Sequence, residues 1–285
     1  MSEAAQLETQ DKGGTPTGRG QGSTRLFPVQ MGRFDDAVAR SLIDELANWV
    51  VARYREDLWQ RPSKHVYIRL LPEEVVRRID RIRDNAVICE AMLRHFGPDH
   101  VITPMKHTDE LYISHYNKDS GGDQGLYGKH YDGNLRFLKF GTVVRALIYL
   151  QSDATYTVVF ADSLVEKAFA TYDFGIIDFH RELHWVEGDY NPADKQRILL
   201  KSNYLVAPRN GGVLARAVLA INTAVFYVVK AAMEYSKSPK TPAQRVVGFF
   251  CNAFRVMNNV HPFVPIGFIL GVAGAIGWAG YRLVA

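Results

Sequence analysis

GKHYDG at residues 128–133 and IIDFHRELHW at residues 176–185 are the two segments on which the predicted fold depends. In an extended segment the side chains of residues i and i+2 point the same way, so His130 and Asp132 can present an imidazole and a carboxylate to one ion. His184 follows an apolar run of strand length and is the predicted third ligand, from a neighbouring strand. Two histidines and one carboxylate on one face leave coordination positions open, an arrangement typical of non-haem Fe(II).

Other patterns compete for the same ion. His107 and Asp109 form a second His-x-Asp pair, but this pair precedes the first clear β run and is the less favoured of the two. His180 is a rival third ligand, although a strand-like context does not suit two histidines on one helical turn, and Glu182 stands at the wrong place for a zinc-peptidase motif. A hydrogen-bonded core histidine is the alternative reading of His184.

Two arginines and a tyrosine are candidates to hold a carboxylate beside the ion. Arg197 opens a run of strand composition, and its planar guanidinium can hold both oxygens of a carboxylate. Arg145 lies in an apolar run, and because a buried arginine needs a partner it is either a second carboxylate anchor or a structural ion pair. Tyr116 can donate its hydroxyl to the same carboxylate, with a core tyrosine as the alternative. The anchor favoured here is Arg197.

Residues 111–208 have the sequence pattern of a β domain. Short runs rich in β-branched and aromatic residues alternate with Gly, Asp and Asn, which predicts a sandwich or small barrel. The predicted strands cover residues 111–116, 143–151, 155–160, 175–179 and 197–206. The glycine-rich residues 117–128 are predicted to form a lid before the His-x-Asp pair.

Two amphipathic helices are predicted before the β domain. Apolar residues at three- and four-residue intervals predict a helix over residues 35–58. Pro72 predicts the start of a second helix, which continues without a break to Gly97 and Pro98. Both helices are expected to support a sheet. Residues 1–26 contain no aromatic residue and are predicted to be a disordered tail.

The C-terminal part, residues 209–285, is predicted to be helical and membrane-associated. Residues 263–281 contain no charged side chain and come close to the roughly 20 residues that span a bilayer as a helix. Residues 219–229 are also apolar but are interrupted by Asn222, which favours a membrane-surface or re-entrant helix. Basic residues between these two stretches place the catalytic domain in the cytosol. The chain is therefore predicted to be tail-anchored.

Composition limits the alternatives. The chain has 285 residues, of which 47% are hydrophobic, enough to bury a large core. Its net charge is only +4, and Lys and Arg form no stripe with interleaved aromatics, so nucleic acid is not expected as a partner. Two cysteines cannot form a disulfide framework, which favours a reducing compartment that would also keep iron ferrous.

Residues 111–208 resemble the 2-oxoglutarate and Fe(II) dependent oxygenase superfamily, particularly its prolyl-hydroxylase-like branch. The resemblance rests on a Tyr-containing strand, a glycine-rich loop, His-Tyr-Asp, the IIDF segment with its following histidine, and Lys-Gln-Arg before a last strand. It implies an α+β chain with a double-stranded β-helix core of the jelly-roll or cupin-like type. It also implies that His130, Asp132 and His184 bind iron and that Arg197 binds 2-oxoglutarate. The pattern departs at Leu199, where members often carry serine, which concerns the hydrogen bonding of the cosubstrate and not its charge pairing.

The resemblance further implies a reaction. Oxidative decarboxylation of 2-oxoglutarate by O2, giving succinate and CO2, would be coupled to hydroxylation, desaturation or oxidative cyclisation. The substrate would be a small molecule, an amphiphile or a protein side chain, and ascorbate is a further candidate cofactor. The oxygenase domain is expected to span residues 27–208, with its helices in 35–97. Two alternatives stay open: a cupin-like metal enzyme that does not use 2-oxoglutarate, and a catalytically silent membrane-anchored adaptor.

Overall fold

The computed structural model describes residues 27–60, 63–114, 128–133, 142–187 and 197–237, together with residues 241, 242, 245 and 249. The described ranges contain four complete helices and ten strands. The helices are α1 (Ala37–Gln60), α2 (Glu73–Arg83), α3 (Ala86–Phe96) and α4 (Gly212–Lys237). The strands are β1 (Gln30–Arg33), β2 (Ser63–Tyr67), β3 (His100–Pro104), β4 (Glu110–Ser114), β5 (Thr142–Gln151), β6 (Asp153–Phe160), β7 (Val165–Ala170), β8 (Asp173–Asp178), β9 (His184–Glu187) and β10 (Arg197–Pro208).

The strands form two antiparallel sheets. The larger sheet has the order β1-β8-β5-β10-β4-β2, with β3 also paired to β10, and the smaller has the order β7-β6-β9. An isolated bridge joins His130 to His184 at the start of β9 and so adds the His-x-Asp segment to the smaller sheet. From β4 to β10 the chain passes repeatedly between the two sheets, which is the topology of a double-stranded β-helix. The predicted fold of the β core is therefore confirmed.

Alternate residues of the central strand β5 face two different cores. Val144, Ala146 and Ile148 belong to the larger cluster, which also contains the buried residues of α1, α2 and α3. Leu147 and Tyr149 belong to a second cluster, which fills the space between the two sheets. The helices therefore support the outer face of the larger sheet, as predicted, and its inner face is left for the site.

The predicted second helix is two helices, so the expectation of one continuous element was wrong. Asn85 has β-region backbone angles, and its side chain accepts a hydrogen bond from the backbone N–H of Val87 at 3.0 Å, which caps α3. Asparagine competes with the helix for backbone hydrogen bonds and favours such caps. The predicted limits hold, because α2 begins directly after Pro72 and Gly97, with a φ of 85°, ends α3.

The five predicted strands correspond to β4, β5, β6, β8 and β10. The sequence reading missed β1, β2, β3, β7 and β9. Among these, β7 exposes Glu166 and Lys167, and β9 has only four residues. Short strands with one polar face give a weak sequence signal, and it is pairing with distant strands that stabilises them.

Within the described part of the chain, no helix is long and apolar enough to cross a membrane. The predicted tail at 1–26, nearly all of the predicted lid and the predicted span at 263–281 lie outside the described residues. Residues 219–229 belong to α4, which packs on the β core. Val218 of this helix is buried in a cluster with Met105, Val143 and Leu205.

Candidate metal centre

The structure brings the three predicted ligands together. One donor atom each from His130, Asp132 and His184 lies within 4.8 Å of the other two. The Nε2 atom of His130 is 3.6 Å from Asp132 Oδ1, and the Nε2 atom of His184 is 3.7 Å from Asp132 Oδ2. Two imidazoles and a carboxylate around one point form a three-ligand face that suits a divalent non-haem metal.

Backbone hydrogen bonds hold both imidazoles with Nε2 directed at the common point. The Nδ1 atom of His130 donates to the carbonyl of Gly128 at 2.7 Å, and that of His184 donates to the carbonyl of Glu182 at 3.1 Å. The two histidines are also bridged through their main chains, at 3.1 Å and 3.0 Å. A carbonyl acceptor at Nδ1 fixes the tautomer and leaves the Nε2 lone pair for a metal.

The electrostatics favour the protonation states that a metal requires. Burial lowers the pKa of His184 to about 4, so its ring is neutral at pH 7. Burial alone would raise the pKa of Asp132, but the charge of Arg145 holds it well below its ordinary value. The site therefore presents a carboxylate and a neutral imidazole without needing an ion to deprotonate them.

Arg145 is the direct partner of the carboxylate ligand. Its Nη1 atom donates to Asp132 Oδ2 at 2.7 Å, and its Nε atom donates to Asn203 Oδ1 at 2.9 Å. The guanidinium also lies 4.4 Å from the ring centroid of Phe179. Of the two roles that the sequence left open for Arg145, the geometry fits the structural ion pair, which orients Asp132.

A buried polar network continues from Arg145 to the helices. Asn203 donates its backbone N–H to Asp109 Oδ1 at 2.9 Å and its side-chain amide to the Thr108 carbonyl at 3.1 Å. Arg83 of α2 donates to Asp109 Oδ2 at 3.1 Å, and neither side chain of that pair is exposed. The residues behind the metal centre are thus held by a network that starts on the opposite side of the larger sheet.

Arg197, the favoured carboxylate anchor, is buried with unused donors. Only 5% of the residue is exposed, and its Nη2 atom donates to the Tyr149 hydroxyl at 3.1 Å. Its Nε and Nη1 atoms have no hydrogen-bond partner within the described structure. A buried cation with unsatisfied N–H donors is costly unless an anion binds to it, so the pair of donors suits the carboxylate of a ligand.

The competing candidates have other partners. Asp109, from the second His-x-Asp pair, is bound to Arg83. The ring of His180 is hydrogen-bonded to Asn222 at 2.8 Å. Glu182 accepts hydrogen bonds from the Ser163 hydroxyl at 2.7 Å and from two backbone N–H groups, and so holds the turn between β6 and β7. Tyr116 lies outside the described residues.

The sequence reading missed three residues that support the site. Tyr149 contacts Arg197, Asn203 contacts Arg145, and Asn222 contacts His180. Strand periodicity could have indicated the first two residues. Tyr149 falls on the same face of β5 as Arg145, and Asn203 falls on the same face of β10 as Arg197. Asn222 carried no such signal, because its contact depends on how α4 packs.

Comparisons with known proteins give likenesses of structure alone. No protein-family model and no curated protein matches the sequence. Among solved structures, the non-haem α-ketoglutarate dependent epimerase SnoN of nogalamycin biosynthesis is similar, with 15% identity, a TM-score of 0.42, and coverage of 65% of this chain and 81% of that one. A Pseudomonas putida prolyl-4-hydroxylase has 16% identity, a TM-score of 0.40 and coverage of 62% and 91%.

A prolyl hydroxylase from Trichoplax adhaerens, solved with a peptide fragment of hypoxia inducible factor, has 12% identity, a TM-score of 0.40 and coverage of 62% and 83%. These solved structures are of a non-haem epimerase and of prolyl hydroxylases. With TM-scores below 0.5, these likenesses add no weight to the functional assignment, which rests on the side chains described above.

Proposed function

We propose that the protein is an Fe(II)- and 2-oxoglutarate-dependent oxygenase. His130, Asp132 and His184 would hold the iron, and Arg197 would hold the distal carboxylate of 2-oxoglutarate. The observation that carries the proposal is the buried Arg197, whose Nε and Nη1 donors have no partner in the described structure, on the same inner barrel face as the three-ligand centre. A metal enzyme that takes no anionic cosubstrate has no use for such a cation.

The inner face of β5 relates the two parts of the site. Arg145 and Tyr149 lie on this face, the first bound to Asp132 and the second to Arg197. Four residues of a strand span roughly 13 Å, and the long side chains of both arginines shorten the gap between the groups that they bind. This spacing suits a small dicarboxylate that reaches from the metal centre to the Arg197 guanidinium.

The charges on the inner face account for which arginine is free to bind a ligand. Arg145 is neutralised by Asp132, and Lys201 lies 3.7 Å from Glu110, which is buried. Arg197 has Tyr149 as its hydrogen-bond partner, and a phenol brings no negative charge. A bound carboxylate would complete the pairing of these three cations.

The protein residues would contribute orientation, protonation state and exclusion of water. Iron and 2-oxoglutarate, when bound, supply oxygen activation coupled to decarboxylation to succinate and CO2. Asp132, held ionised by Arg145, and His184, held neutral by burial, would keep the coordination face in place. The stacked rings of Tyr149 and Phe169 would keep water from the Arg197 end of the site. Hydroxylation, desaturation and oxidative cyclisation are all open to this arrangement.

The test uses full-length protein in detergent and needs no substrate. We expect Mn(II)-loaded protein to bind 2-oxoglutarate in calorimetry with a Kd below about 1 mM, and Fe(II)-loaded protein to release succinate slowly in air. Arg197→Met should remove binding, with Tyr204→Phe as a control on the outer face of the larger sheet. Metal binding without 2-oxoglutarate binding would favour the cupin-like alternative, and the absence of both would favour the adaptor.

We also propose that residues 263–281 anchor this core to a membrane, with the catalytic domain on the cytosolic side. The support is the uncharged sequence of that stretch and the basic residues that precede it. Resistance of the full-length chain to carbonate extraction from cell membranes, lost when residues 263–281 are deleted, is the expected result. Extraction of the full-length chain would contradict the proposal.

A further inference from the structure

Helix α4 places a buried amide next to the β core. Asn222 is 6% exposed, and its Oδ1 atom lies 2.8 Å from the Nε2 atom of His180. Its Nδ2 atom donates to the Val218 carbonyl at 2.9 Å, which leaves Oδ1 as the acceptor. His180 therefore carries its proton on Nε2, and this N–H donates a hydrogen bond to Asn222 Oδ1.

The other side of the His180 ring touches the segment that carries a predicted ligand. Gly133 follows Asp132 directly, and its N–H donates to the Phe179 carbonyl at 2.8 Å. A Cβ atom at Gly133 would overlap the His180 ring, so the ring fills the space that a side chain would occupy. Glycine at this position lets the backbone beside Asp132 lie directly against the imidazole.

Phe179 and His180 thus contact Arg145 and Gly133, the two residues that hold Asp132 in place. The Phe179 ring lies under the guanidinium of Arg145, which holds Asp132 Oδ2, and the His180 ring lies against Gly133. Burial lowers the pKa of His180 to about 4, so the ring is neutral at pH 7 and has one proton to donate. Asn222 accepts the hydrogen bond that this N–H donates, which restricts the ring to one orientation.

We propose that Asn222 is a positioning residue for the metal centre: its hydrogen bond to His180 holds that ring against Gly133 and thereby sets the place of Asp132 relative to His130 and His184. This inference rests on the proposed function, because it concerns the same ligands. It assigns α4 to the catalytic unit, although the sequence places this helix in the membrane-associated region. A shortened chain that is to keep this contact must therefore include Asn222.

The test measures metal binding in full-length protein in detergent, with Co(II) as the probe. Asn222→Leu has a similar volume but no acceptor, and Asn222→Asp keeps the acceptor oxygen. We expect Asn222→Leu to weaken Co(II) binding by about 10-fold and to change the visible absorption of bound Co(II), since outer contacts typically alter metal affinity by about 10- to 100-fold. Asn222→Asp should stay within about 3-fold of wild type and keep the wild-type spectrum.

Two further variants complete the test. Ile221→Ala changes the exposed neighbour of Asn222 on the same helix, and we expect wild-type affinity and spectrum. Asn222→Ala also removes the acceptor oxygen without adding bulk beside His180, and we expect it to reproduce the Co(II) defect of Asn222→Leu. If Asn222→Leu fails to fold by circular dichroism, Asn222→Ala decides the outcome.

Wild-type affinity and spectrum in a folded Asn222→Leu protein, or in Asn222→Ala when the leucine variant does not fold, would overturn the positioning role. That result leaves the proposed function standing. By contrast, a wild-type protein that does not bind Co(II) at all would overturn both proposals.

Discussion

Two arginines on the inner face of the barrel show how the same residue type serves different purposes. Around Arg145 the donors meet acceptors: Asp132, Asn203 and, further on, Asp109 form a continuous buried network. Around Arg197, Tyr149 provides a single hydroxyl, and two N–H donors have no partner in the described structure. The first region is paired within the protein, and the second is where we propose that the carboxylate of 2-oxoglutarate binds.

The two arginines separate a buried charge that is paired within the protein from one that has unpaired donors among the described residues. A paired buried charge contributes orientation, and removing one partner is costly because the other is left uncompensated. An unpaired buried charge lowers stability until an anion binds. The Arg145 region therefore holds Asp132 in place, whereas the Arg197 region would bind the cosubstrate in the proposed function.

The largest effect is expected from Asp132→Ala, which removes a predicted ligand and leaves Arg145 unpaired. We expect metal binding to weaken by more than about 100-fold. The free energy of unfolding should fall by about 3 kcal/mol, because a buried cation loses its partner. Metal content by mass spectrometry and urea denaturation measure the two effects. Asp132→Asn keeps an acceptor for Arg145 and should lose the metal with a smaller loss of stability; full metal content in Asp132→Ala would contradict the ligand assignment.

The sharpest test of the comparison is the pair of variants Arg145→Met and Arg197→Met. Arg145→Met leaves the Asp132 carboxylate unpaired and should lower the free energy of unfolding by about 3 kcal/mol. Arg197→Met removes a cation that has no salt-bridge partner among the described residues and should leave stability unchanged or raise it, while 2-oxoglutarate binding is lost. Urea denaturation and calorimetry on both proteins check this. A loss of stability in Arg197→Met but not in Arg145→Met would contradict the structural role of Arg145 and the ligand-binding role of Arg197.

The Asp132 side of the site should also be sensitive to pH. Histidine in the unfolded chain takes up a proton below about pH 6.5, whereas folded His180 and His184 do so only at about 4. Between these values the unfolded state binds more protons, so the free energy of unfolding falls as the pH falls. For the metal-free protein we expect each of these two histidines to contribute a loss of roughly 1 to 2 kcal/mol between pH 7 and pH 5. Burial raises the pKa of Asp109 to about 7, so this carboxyl contributes in the opposite direction over the same range.

Urea denaturation of the metal-free protein at both pH values measures this loss. His180→Gln should lose roughly 1 to 2 kcal/mol less than wild type between pH 7 and pH 5, because the contribution of His180 is removed while those of His184 and Asp109 remain. An equal change in wild type and His180→Gln would mean that the His180 ring titrates normally in the folded protein.

A smaller effect is expected on the Arg197 side, from Tyr149→Phe. The change removes the hydroxyl that orients the guanidinium, and a lost hydrogen bond of about 1 kcal/mol corresponds to roughly 5-fold weaker 2-oxoglutarate binding. Tyr204→Phe is a matched control, because its hydroxyl donates to the Arg83 carbonyl at 2.8 Å on the outer face of the same sheet. That variant should lower stability without changing the affinity for 2-oxoglutarate, and equal effects of both on affinity would contradict the assignment of Tyr149.

The β core and the convergence of His130, Asp132 and His184 could be predicted because they rest on local periodicity and on residue types with few alternative uses. Strands β1 and β9 could not, since their pairing partners are remote in the sequence. The break between α2 and α3 depends on one side-chain cap at Asn85, which the apolar period does not register. The partner of Arg145 depends on how the segment that carries Asp132 packs against β5, so the sequence left two roles open.

The main-chain bridge between His130 and His184 has a consequence for how the protein matures. These residues are distant in the chain, and their two mutual hydrogen bonds form only when most of the barrel has closed. Contacts between remote segments are late and slow because chain entropy must be lost before they form. The metal would therefore enter a finished pocket after synthesis, and we expect metal-free protein to refold at the same rate with or without Mn(II) in the buffer.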